Sequence, residues 1–78
     1  MRLEYDSEAD AVYIWLREGA ERAFGMDLDT LRYVDFGPDH APVGVELLRV
    51  SLGVETVGLP ARERLEVLLA QHDIRVLG

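Results

Sequence analysis

In the segment Ala11-Val12-Tyr13-Ile14-Trp15-Leu16 every side chain is apolar or aromatic, and no other stretch of the chain limits the possible folds so tightly. β-branched and aromatic residues in such a run favour a strand. Alternation then sends Val12, Ile14 and Leu16 to one face and Ala11, Tyr13 and Trp15 to the other. An antiparallel sheet wetted on one side normally carries polar residues there, so both faces of this strand call for cover. The chain has few means of supplying it. Its 78 residues suffice for one domain, and the absence of cysteine removes disulfides, thiolate-bound zinc and thiol catalysis. His40 and His72 lie far apart with no partner at metal-ligand spacing, so no metal and no cofactor is expected. A homo-oligomer, most simply a dimer, is the natural supplement for so small a core.

Around that segment, apolar residues recur with period two and turn residues interrupt them. Strands are expected at about Arg2 to Tyr5, Ala11 to Arg17, Glu21 to Leu28, Leu31 to Phe36 and Pro42 to Leu48, with Asp6 to Asp10, Glu18-Gly19 and Gly37 to His40 as turns. Pro42 donates no backbone hydrogen bond and belongs at a strand start or on an edge. Ser51 to Gly58 reads as loop. Pro60 suits the first turn of a helix running to about Gln71, with Ala61, Leu65, Leu68, Leu69 and His72 forming a stripe to bury. Ile74 to Leu77 alternates as a short last strand. The architecture expected is α+β: an antiparallel β-meander of four to five strands with one C-terminal helix packed on the sheet. One helix covers one face; if the aromatic side is the uncovered one, Tyr13 and Trp15 call for a second subunit, unless the sheet coils enough for the helix and the Ser51 to Gly58 loop to cover both sides.

Fifteen acidic residues against eight basic ones give a net charge of −7, a field that repels phosphate backbones and anionic lipid. Neither nucleic acid nor membrane is an expected partner, and no segment approaches the roughly 18 apolar residues a spanning helix needs. The opening residues lack the basic start and apolar run of a signal peptide, so a cytoplasmic location is expected. All the basic residues are arginine and asparagine is absent; avoidance of thermolabile amides fits a heat-adapted source, and a GC-rich genome biases codons the same way.

Tyr5 to Ile14, with Val43-Gly44-Val45-Glu46-Leu47-Leu48 and Ser51, resembles the family called domain of unknown function 2283. That pattern is a Tyr-Asp-x-x-x-Asp-x-x-Tyr-Ile start, an acidic strand end, which Asp35 matches here, and a Gly-Ile-Glu-Ile segment, where Val45 replaces isoleucine. The resemblance implies a small prokaryotic α+β protein and brings no activity or catalytic residue. Members of such families are sometimes encoded beside toxin-like proteins, which makes an antitoxin-like subunit one expectation.

Four carboxylates are candidates for chemistry. Asp6 and Asp10 flank a turn and either pair for a divalent cation or acid–base work, or serve as hydrogen-bond acceptors for turn amides. Glu46 sits in an apolar strand, where it is either partly buried with a raised pKa, paired with Arg22, Arg32 or Arg49, or pointed to water. Asp35 and His40 bracket the Gly37-Pro38 turn as a proton relay or as ordinary loop residues. Ser7 and Ser51 lie in no nucleophile elbow, and there is no phosphate loop. His72 reads as a packing or capping residue. Tyr13 and Trp15 are interface candidates, with Phe24 and Tyr33 as core or interface. The leading expectation is a non-enzymatic oligomerising interaction module with a basic protein partner. Two alternatives stand: a small enzyme using Asp6, Asp10, Asp35 and Glu46, for instance in metal-assisted hydrolysis, and a small-molecule binder at a subunit interface.

Overall fold

The computed structural model describes residues 1–77. Strands β1 (Arg2–Asp6), β2 (Ala11–Trp15), β3 (Phe24–Asp27), β4 (Arg32–Phe36) and β5 (Pro42–Leu48) form one antiparallel sheet, and a single α-helix, α1 (Arg62–Gln71), packs against it. The α+β class with one late helix is therefore as the patterning predicts. Spatial order is β1-β2-β5-β4-β3, so the strands are not laid down sequentially: β5 returns to the centre and pairs with both β2 and β4. Central placement explains why Val43, Val45 and Leu47 are essentially inaccessible. Pro42 begins this inner strand beside a register shift between Asp35 and Phe36, an irregularity suited to a residue without an N–H.

Beyond the sheet, a 3-10 turn at Val50–Leu52 leads to β6 (Val54–Glu55), which pairs in parallel with β7 (Val76–Leu77). The stretch read as loop thus contains a strand, too short for alternation to reveal it. The helix starts at Arg62 rather than Pro60, because Ala61 stands in the left-handed region at φ 52°. Its buried stripe is Leu65 and Leu69, both at 0% exposure, with Leu68 at the margin; Ala61 and His72 are exposed, and His72 ends the helix. Each buried leucine contributes about 1.5–3 kcal/mol against Val12, Ile14, Val34, Val45 and Leu47.

Two polar ties link sheet and helix through the segment after β6, the first joining the sheet to that segment and the second joining the segment to the helix. Arg32 lies on the core face at only 13% side-chain exposure, donating to the carbonyls of Glu55 (3.0 Å) and Val57 (2.5 Å) and to Asp29 Oδ2 (2.9 Å). The hydroxyl of Thr56, a fully buried residue, donates to Glu66 in α1, and Arg62 Nε donates to the same hydroxyl oxygen at 3.2 Å. On β3, Phe24 and Met26 point to the core side yet remain 41% and 58% exposed.

Candidate functional site

The face turned away from the helix is ordered by strand register. One cross-strand row reads Glu4, Tyr13, Glu46, Tyr33, Asp27 across the five strands, alternating acid and tyrosine. The next reads Arg2, Trp15, Gly44, Asp35, Gly25. The tyrosines of the first row lean over the glycines of the second. A Cβ on Gly44 would stand 1.9 Å from Tyr13 Oη, and one on Gly25 2.1 Å from Tyr33 Oη. Neither glycine has a positive φ, so these positions are glycine because a ring occupies the space a side chain would need.

Laid flat, Tyr13 donates its hydroxyl proton to Asp35 Oδ2 at 2.6 Å and meets Trp15 edge to face at 4.9 Å. Burial, followed by the bond to Asp35, raises the Tyr13 pKa to about 12, so the residue is a neutral phenol at physiological pH. Trp15 Nε1–H donates to Glu4 Oε1 at 2.9 Å; that bond, reinforced by Arg2, holds the Glu4 carboxyl below its usual range. Arg22, from the β2–β3 connection, places its guanidinium carbon 5.3 Å from the Trp15 ring and 5.7 Å from the Tyr13 ring, with Nη1 3.7 Å from Asp35 Oδ2. Arg2 lies over Trp15 at 5.7 Å. The second face is thus an aromatic shelf with bonded polar tips, charged rims and arginine cover, where the apolar pattern alone predicts bare hydrophobic surface. Tyr13 and Trp15 are half-buried within a single chain.

The four carboxylates do not meet at one site: Asp6 and Glu46 border one groove together with Glu4, and Asp10 and Asp35 are not part of its lining. Asp6 Oδ1 accepts the N–H groups of Glu8 and Ala9 and caps the β1–β2 turn. Asp10, in the left-handed region at φ 53°, accepts the Ser51 N–H (3.0 Å) and hydroxyl (2.5 Å), latching that turn to the chain after β5. Asp35 is committed to Tyr13 and Arg22. Glu46 is exposed on the shelf rather than partly buried, and it forms no ion pair among the described residues. Arg32, considered above as its partner, lies on the opposite face. Among the described residues no three histidine or carboxylate side chains are placed to hold a metal ion. His40 stacks edge-on against Phe24 at 5.3 Å, across the sheet from Asp35, so the two form no relay. Ser51 and His72 line one groove of about 350 Å³, but the serine proton is given to Asp10. Arg22, Glu4 and the glycine notches belong to the site and were not singled out from sequence as a group; glycine inside a strand was the available signal, since it marks close approach by another group.

These features define the chain as an α+β domain with one aromatic, carboxylate-rimmed sheet face. The chain belongs to the family described as protein of unknown function (DUF2283), whose sequence profile matches residues 2–51. That span holds all five strands of the main sheet and every shelf residue, and leaves the helix outside. No curated protein and no solved structure matches the chain. Among the described residues no helix is long and apolar enough to cross a membrane.

Proposed function

We propose that the protein is a non-enzymatic interaction module that presents its helix-free sheet face to a basic protein partner, such as a toxin-like protein. The acid–tyrosine row carries this reading. Glu4, Glu46 and Asp27 are exposed on alternate strands, about 9.5 Å apart at normal strand spacing, with a tyrosine on each intervening strand. Glu4 is held by Arg2 and Trp15, whereas Glu46 and Asp27 have no ion-pair partner among the described residues, and rigid aromatic area beside such charge suits cationic side chains with apolar stems. A net charge of −7 adds long-range attraction to a basic surface. Engagement of Asp6, Asp10 and Asp35 in separate structural bonds, with Glu46 exposed and without a partner among the described residues, weighs against the enzyme alternative. The test compares the wild-type chain with Glu46→Arg, which reverses an exposed charge on the shelf, and Val67→Ser, on the exposed side of the helix. A basic protein retained by wild type and by Val67→Ser, but released by Glu46→Arg and by added salt, supports the proposal. Equal retention by all three chains refutes it.

Self-association is a second reading, favoured by a different observation. Leu28 N–H donates to Arg32 C=O at 2.8 Å, so alternation turns the backbone groups of Gly25 and Asp27 to the free edge of β3. A second copy pairing antiparallel about Met26 would set Phe24 against the partner's Leu28. Asp27 would then sit over the partner's Gly25, within reach of the tyrosine hydroxyl lying there. An adjoining apolar groove of about 290 Å³, lined by Met26, Leu28, Phe36 and Leu59, lengthens that strip. Light scattering after gel filtration should give a dimer that Met26→Arg dissociates; a wild-type monomer at high concentration excludes this reading.

A further inference from the structure

We infer that Tyr13, Trp15 and Asp35 form a guanidinium-binding seat in which Arg22 is a resident and displaceable occupant, replaced on association by an arginine of the basic partner. This rests on the interaction reading above and goes further, naming the side chain recognised and an intramolecular competitor for its place. The seat has what a guanidinium requires: two aromatic rings set at 70° to one another and a carboxylate at their side. It is preformed, because Tyr13 is held flat by the Gly44 notch and by its bond to Asp35, neither of which involves Arg22. Arg22 demonstrates the fit.

Its hold is nevertheless weak. The side chain is 53% exposed, its closest approach to Asp35 is 3.7 Å, and it comes from the chain between β2 and β3, which do not pair with each other. Cation–π contacts and ion pairs of such exposure sit at the lower end of their range. An occupant of this kind lowers apparent affinity by the fraction of time the seat is filled. Asp35, in contrast, is 13% exposed and already oriented, so an incoming guanidinium meets a carboxylate that needs no rearrangement. Arginine is favoured over lysine because a planar fork can lie against the rings and still reach the carboxylate.

The experiment titrates the full chain with a short arginine–glycine peptide and its lysine–glycine counterpart, following the Trp15 indole N–H and the tyrosine rings by NMR. Arg22→Gln empties the seat and Arg17→Gln removes the same charge from a site outside it, where Arg17 pairs with Asp39 at 3.4 Å. Arg22→Gln is expected to tighten arginine-peptide binding about two- to five-fold, the factor matching a weak exposed cation–π contact. Arg17→Gln should produce a clearly smaller gain, and combining Arg22→Gln with Trp15→Ala should abolish the difference. Equal gains from the two single variants, or equal affinity for both peptides, would overturn the seat while leaving a generally acidic interaction face intact. Absence of saturable shifts at the shelf with either peptide would overturn the interaction reading and the seat together.

Discussion

Replacing Gly44 by alanine tests the central construction of the shelf, because a methyl group there would overlap Tyr13: 1.9 Å from Oη, 2.5 Å from Cζ and 3.0 Å from Cε2. Backbone conformation offers no objection, since Gly44 lacks a positive φ. The ring must therefore leave. Its departure forfeits a hydrogen bond to a charged acceptor, about 1.5–3 kcal/mol, and the edge-to-face pair with Trp15, about 0.5–1.5 kcal/mol. Alanine restricts the unfolded chain and returns about 0.4–1 kcal/mol. Partial repacking of the displaced ring leaves an expected net loss of about 2 kcal/mol. In a domain of this size that corresponds to a fall of roughly 8–16 °C in Tm. Urea unfolding followed by far-ultraviolet circular dichroism measures it, in wild type and in a Tyr13→Ala background. Without the ring, Gly44→Ala should be neutral or slightly stabilising, giving a coupling of about 2 kcal/mol. A cost that is the same in both backgrounds would refute the notch as the reason for glycine.

Other substitutions and titrations follow from the same contacts. Arg32→Leu should destabilise by about 2–3 kcal/mol in urea unfolding, since it strips donors from the Glu55 and Val57 carbonyls; Arg32→Lys should recover little, as an ammonium cannot span both and Asp29. Asp10→Ala should cost about 1–2 kcal/mol through loss of the Ser51 latch and strain at a left-handed residue, whereas Asp10→Asn, which tolerates that conformation and keeps an acceptor, should stay close to wild type. The Tyr13 pKa rises in the fold from 10.0 to about 12, so the unfolded chain releases that proton first and stability should fall as pH climbs from 10 towards 12. Tyrosinate absorbance should show a late-titrating group that Tyr13→Phe removes. At the acid end, Glu4, Asp29, Asp39 and Glu66 all have lowered pKa values, so the stability they confer is present above the ordinary values of 4.5 and 3.8 and disappears as pH falls through the lower folded values. A urea midpoint that did not decline below pH 4 would contradict those bonds.

Alternation alone separated Val12, Ile14, Val43, Val45 and Leu47 from Tyr13, Trp15, Gly44 and Glu46, because side-chain direction in a strand is a local property, whereas packing of the helix decided which face became the core. Leucines at helical spacing identified α1 for the same reason. Neighbours across strands are another matter. That β5 enters between β2 and β4, that Tyr13 falls between Glu4 and Glu46, and that its hydroxyl meets Asp35 are outcomes of long-range pairing, which no local pattern encodes. Asp10 and Ser51, 41 residues apart, meet only because the ends of β2 and β5 are adjacent. A chain read residue by residue therefore established the layers and their chemistry, while the sheet's register decided which acids lie beside which rings and gave the shelf its form.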